Sequence, residues 1–210
     1  MAGNALIVKE PGGRPVGRPR CMETHQAILA AAADLLESQP SRDISVERIA
    51  AEAGVGKQTI YRWYDSKADL ILDAFMARYA EILPPAMLSG DPIASLRDYL
   101  HHLVEALPSH AVEGGYRALF AEAQFDRNFR ERYAEILLRR RRDLIRAIII
   151  AAVHKKQLRA DIDPDVMVSA ILSPILIRFL TTVEVPDTAY ADKVLDLVLR
   201  GAGAPVSEPA

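Results

Sequence analysis

The 210-residue chain has a single cysteine, Cys21, so it can form no internal disulfide. A disulfide-stapled scaffold is excluded and a reducing compartment suits it. Charge of one sign is lacking as well. Lys and Arg number 26 against 28 Asp and Glu, a formal net charge of -2, which excludes a protein that coats nucleic acid through bulk charge. With 50% hydrophobic residues the chain is also far from the composition of a disordered one. Long apolar runs are missing: the most apolar, 147–153, is short against the roughly 20 residues that cross a bilayer. Pro11, Pro15 and Pro19 interrupt any leader-like apolar stretch near the N-terminus. These absences predict a cytoplasmic protein with no membrane partner. No phosphate loop, zinc motif or catalytic constellation occurs, so no cofactor, no metal and no enzymatic activity are expected.

Proline is absent between Pro40 and Pro84, leaving room there for consecutive helices. Asp91-Pro92 and Asp163-Pro164 have the form of helix starts, with Asp as N-cap and Pro in the first turn. Between these marks the apolar period is helical throughout and nothing alternates with period two. The reading is all-α. It places a first helix over 22–38, a short second one after Ser45, a third over 56–63 and a fourth over 66–83. Further helices follow near 92–107, 110–123, 126–156, 164–183 and 188–200. The chain divides into a flexible basic arm (1–21), a helix-turn-helix domain (22–66) linked by helix 66–83, a larger helical domain (84–200) and a disordered tail (201–210).

The segment SVERIAAEAGVGKQTIYRWY, 45–64, carries the strongest signal. A short helix stops at Gly54, where a sharp left-handed turn favours glycine, and a second begins two residues later. Ile49, Val55 and Ile60 are spaced to pack inward. Lys57, Gln58, Thr59, Tyr61, Arg62 and Trp63 are left outward, and none is acidic. A helix of this kind can enter the DNA major groove. Gln58 suits adenine, and Thr59 a thymine methyl or a polar base edge. Lys57, Arg62, the Tyr61 hydroxyl, the Trp63 indole N–H and Lys67 suit the phosphates, which fix register without reading sequence, and Ser45, the N-cap of the second helix, is grouped with them as a DNA-binding residue.

Residues 22–83 resemble the DNA-binding domain of the TetR family of bacterial transcriptional regulators. The matching elements are Ile44-Ser45, Ile49-Ala50, Ala53-Gly54-Val55, Thr59-Ile60-Tyr61, the aromatic Tyr64, Ser66-Lys67 and Leu70. Gly56 departs from the family's usual Ser or Thr, and Trp63 from its usual His or Tyr. Ahead of this domain, GRPVGRPR holds Arg14, Arg18 and Arg20 with no acid between Pro11 and Met22. Arginines in an extended Gly/Pro arm are drawn to the narrow minor groove of A·T-rich DNA.

The resemblance implies that the C-terminal part binds a small-molecule effector and dimerises. The last two helices would pair with a second subunit in a four-helix bundle, through Met167, Ile171, Ile175, Phe179, Leu195 and Val198. A pocket among the helices from 92 to 156 would be lined by Tyr99, His102, Leu103, Tyr116, Phe120, Phe125 and Tyr133. Arg140 falls on the inward spacing with Tyr133, Ile136 and Leu144. His101 and Glu105, one turn apart, suit a metal ion but are too few for a site. The function implied is a homodimeric regulator, a repressor released from a palindromic double-stranded operator by an apolar or aromatic effector. Two other readings remain: a helical small-molecule-binding protein or enzyme with a merely structural hairpin, and a nonspecific nucleoid binder using the arm.

Overall fold

A computed structural model describes residues 18–39, 43–82, 90–182 and 184–203. These form ten α-helices and one π-helical segment: α1 (Arg18–Ser38), α2 (Val46–Glu52), α3 (Lys57–Tyr61), α4 (Lys67–Ile82), α5 (Pro92–Ala106), α6 (His110–Phe125), α7 (Arg127–Tyr133), the π segment (Ala134–Arg139), α8 (Arg140–His154), α9 (Pro164–Thr181) and α10 (Thr188–Ala202).

The local chemistry explains these boundaries. Asp91 accepts hydrogen bonds from the Ile93 and Ala94 amides, and Asp163 from those of Asp165 and Val166, so both Asp-Pro pairs start helices. Asp126 and Asp187 cap α7 and α10 in the same manner. The turn after α2 is a Schellman motif. Gly54 takes φ +65°, its amide bonds the Ala51 carbonyl, and the Val55 amide bonds that of Ala50. The start of α1 differs from the sequence expectation. The helix already includes Arg18, and Pro19 stands in its first turn, where the missing N–H costs nothing. At the other end α10 runs to Ala202, and a bridge between Gly203 and Leu158 fastens it.

The predicted long helix over 126–156 contains the π segment, and this changes which residues face inward. In an α-helix every fourth residue drifts by about 40°, or roughly 160° over four steps. Here Tyr133, Leu137, Arg141, Ile145 and Ile149 are all buried, four apart. The wider π turn holds that stripe in line. Arg141, not Arg140, is therefore the arginine turned inward, with its guanidinium 5.3 Å from the Tyr116 ring centroid.

Two packed groups share one continuous core. α1 packs on α4 and on α2, and α2 on α3, around Ile28, Leu35, Ile49, Ile60, Leu70 and Phe75. The second group packs α5 on α8 and α10, and α9 on α8 and α10. The groups meet where α6 lies on α1 and α4. At that crossing Gly115 touches the Phe75 ring so closely that a Cβ would collide with it.

Candidate nucleic-acid interface

Three elements present the α3 surface. The Schellman turn sets its angle to α2, buried Ile60 anchors it, and Tyr64 continues that anchor into the core. Lys57, Gln58 and Arg62 are exposed, Thr59 is half-buried, and Tyr61 is 55% exposed although large and apolar. This is the pattern of a reading face on a hydrophobic foot. Lys57 Nζ lies 2.5 Å from Glu47 Oε1, and the lysine's hydrogen bond holds the Glu47 carboxyl down to about 2. Glu47 has no place in the sequence reading, because nothing local links positions ten apart.

Two of the expected phosphate contacts are placed differently, while Ser45 takes the N-cap place expected of it. The Ser45 hydroxyl accepts from the Arg48 amide at 3.2 Å as the N-cap of α2. Lys67 is half-buried and donates to the Ile44 carbonyl at 2.9 Å, tying the first turn of α4 to the start of α2. The Trp63 indole N–H is buried without a hydrogen-bond partner, so it does not face the phosphates as expected. Its ring packs on His25 instead, with centroids 4.6 Å apart. Helix propagation through Pro19 also turns Arg18 and Arg20 from an extended arm into helix, and Arg14 lies outside the described residues.

Beneath Trp63, His25 of α1 shares a hydrogen bond with the Tyr64 hydroxyl at 2.8 Å. Burial pushes the His25 pKa below its ordinary value, and Asp73 opposes this. Burial pushes the Asp73 carboxyl up, while Tyr64 and His25 pull it down and Asp69 adds to the rise. Burial raises Tyr64 too, so its hydroxyl keeps its proton. These groups converge from α1, the end of the α3 turn and α4, across sequence separations that no motif spans.

In the second group Tyr99, Leu103, Tyr116 and Tyr133 are buried, and Phe120 is half-buried. Two expected pocket residues are not inside. His102 is exposed and bonds the Asp98 carbonyl of its own helix, because Tyr99, Leu100, Leu103 and Val104 occupy the inner face of α5. Phe125, 90% exposed, ends α6 on the outside, and Phe129 takes the inward place. His101 bonds Asp192 on α10 at 2.9 Å rather than pairing with Glu105, and Arg97 joins it by bridging Asp192 and Asp196.

The expected dimer face is corrected as well. Met167, Ile171, Ile175, Phe179 and Leu195 are buried within the chain, and Val198 is half-buried. Spaced four apart, the α9 set forms the stripe that meets the chain's own α8 and α10. The opposite stripe is apolar too, with Val166 65% and Ile177 51% exposed, and Leu197 of α10 beside it in character at 72%. By length and composition alone α9 could cross a membrane.

Comparison with known proteins agrees with this architecture. Residues 28–74 match the model of bacterial regulatory proteins of the tetR family, and 88–198 match the tetracyclin repressor-like C-terminal domain. An uncharacterized HTH-type transcriptional regulator of Bacillus subtilis, YdeS, is 34% identical over 88% of this chain and 90% of its own. EthR of Mycobacterium tuberculosis is 42% identical over 62 residues, 30% of this chain and 29% of its own. Among solved structures, the TetR family regulator SCO0332 superposes with a TM-score of 0.74 at 26% identity, over 86% of this chain and 98% of its own. FadR of Thermus thermophilus, in complex with lauroyl-CoA, superposes with a TM-score of 0.72 at 20% identity, over 89% and 98%. These relatives are regulators, not enzymes. With more than half of the chain under one family model and a full-length relative above 30% identity, the chain belongs to the TetR family of bacterial transcriptional regulators.

Proposed function

We propose that the protein is a cytoplasmic homodimeric repressor that reads a palindromic double-stranded operator through α3 and leaves it when a small apolar or aromatic effector enters the α5–α8 region. The carrying observation is the acid-free outer face of α3, where exposed Lys57, Gln58, Tyr61 and Arg62 rest on buried Ile60. Gln58 and Thr59 read bases, and Lys57, Tyr61 and Arg62 hold phosphates. Arg14, in the Gly-Arg-Pro segment ahead of α1, reaches the minor groove.

Dimerisation uses the outer stripe of α9, Val166, Ala170 and Ile177, with Leu197 of α10. An apolar face of that length left in water favours association, and two-fold symmetry then presents two α3 helices to two half-sites about one DNA turn, 34–36 Å, or somewhat more apart. An apolar interior lined by Tyr99, Leu103, Tyr116 and Tyr133 suits an apolar or aromatic effector. Structural neighbours carry such ligands: lauroyl-CoA in Thermus thermophilus FadR and resorcinol in RolR.

Selection of bound sequences from random DNA tests the reading. The expected result is a palindrome, bound by a dimer in sedimentation analysis. Ile177→Glu should give monomers that keep their helical content and bind the palindrome about a hundredfold more weakly, or roughly 2.7 kcal/mol. A non-palindromic or random pool would overturn it.

A further inference from the structure

The two functional parts of the chain are joined by an ion pair at the foot of α4. Arg132, the penultimate residue of α7, donates from Nε to Asp69 Oδ1 at 2.7 Å, and its Nη2 reaches the same oxygen. Asp69 is the more enclosed partner, with its side chain only 15% exposed. Its other oxygen, Oδ2, accepts from the Ser66 hydroxyl at 2.7 Å, while its amide donates back to Ser66 Oγ at 3.1 Å. This reciprocal box closes the first turn of α4. The next residue of that turn, Lys67, bonds the Ile44 carbonyl ahead of α2. Asp69 is thus bonded at once to the turn that follows α3 and to a helix of the C-terminal domain.

The far side of the pair is equally constrained. Phe129 is buried, and the Arg132 guanidinium stands 5.8 Å from its ring centroid, so the arginine's reach is set by the seating of α7. α7 runs directly into the π segment, whose inward residues Tyr133, Leu137 and Arg141 belong to the interior of the C-terminal domain. The buried Phe129 and Tyr133 thus link the seating of α7, and with it the end of the Arg132 side chain, to the filling of that interior.

On the reading of this chain as an effector-released regulator, we propose that Arg132 is the positioning residue that couples the C-terminal domain to the DNA-reading helix, by holding Asp69 and the Ser66 turn in the operator-binding geometry. Arg132 touches no DNA in this arrangement. Its contribution is the difference in contact between two seatings of α7, which is the form a coupling free energy takes.

The test uses the full-length protein with Arg132→Gln and Arg132→Lys, and operator DNA from the selection above. Arg132→Gln is expected to lower operator affinity about fivefold. The slope of affinity against salt should stay unchanged, since no phosphate contact is lost. The urea midpoint should also stay in place, because a partly exposed pair adds little to global stability. Hydrogen exchange should quicken in residues 57–70 and not in α9, and Arg132→Lys should recover most of the affinity and protection. Affinity within twofold of the parent, a reduced salt slope, or a fall in global stability that accounts for the whole loss would each overturn the proposal. If no DNA sequence is selected, the regulator reading itself fails. Exchange over residues 57–70 then decides whether Arg132 holds this turn: unchanged exchange in Arg132→Gln overturns that role.

Discussion

The N-terminal and C-terminal parts of this chain use apolar residues in opposite ways. In the N-terminal part each short helix has one apolar face, and the core beneath α3 consumes it apart from Tyr61, so mainly polar side chains are left on the outer surface. In the C-terminal part α9 is apolar nearly all round, and burial inside the chain consumes only one stripe. A second apolar stripe remains. Where a helix has one apolar face, periodicity separates core from surface. Where it has two, periodicity shows that both need cover and does not show which one the chain covers itself.

The largest test of this contrast is Phe179→Ala. Phe179 is fully buried, edge-on to Tyr116 and under the Arg117 guanidinium. Truncation should cost about 3–5 kcal/mol of stability in urea denaturation. An effect below about 1 kcal/mol would mean that Phe179 faces a partner and not its own core.

A smaller effect separates reading from holding on α3. Gln58→Ala should relax the operator preference at one base position, by about 1–3 kcal/mol of discrimination. Lys57→Ala should instead weaken all sequences alike and reduce the salt slope by no more than about one, because Glu47 already serves Lys57 as a counterion. Binding-site selection and salt titration distinguish the two. The same outcome for both variants would remove the distinction between base and phosphate contacts.

The smallest effect lies beneath that surface, at His25. Its folded pKa is depressed below 6.5, so the fold favours the neutral ring. The stability it contributes is complete above pH 6.5 and is lost as pH falls from there through the folded value. Asp73, whose pKa is raised, works in the opposite direction at lower pH, where folding favours its protonated form. Trp63, the one tryptophan in the chain, packs on His25 and reports the event by fluorescence. The transition should shift below pH 6.5 in the parent and vanish in His25→Gln. A midpoint at or above 6.5 would show that burial does not govern this imidazole.

Local chemistry was legible in the sequence: the Asp-Pro helix starts, the Gly54 turn, the all-α class and the exposed face of α3. What depends on distant partners was not. Trp63 looked like a phosphate donor because its neighbours are, yet its N–H turns inward against a histidine 38 residues earlier. Arg140 falls on the inward spacing only of an unbroken α-helix, and the π segment shifts the inward register to Arg141. The apolar spacing of Met167, Ile171, Ile175 and Phe179 shows that they need burial, but not that the neighbours covering them are the chain's own α8 and α10. His102 and Phe125 suit a pocket by residue type, yet each sits on the outside of its helix.

The Lys57–Glu47 pair bears on how such a protein searches a genome. Most encounters with DNA are with the wrong sequence, and affinity for those sites comes almost wholly from cations meeting phosphates. A lysine that already has a carboxylate as its counterion gains less from a chance phosphate than a bare one would. On the proposed function, the pair would lower the residence time on random DNA while leaving Gln58 and Thr59 beside it untouched. Glu47, which makes no contact with a base in this account, would then act on specificity by shortening every wrong encounter.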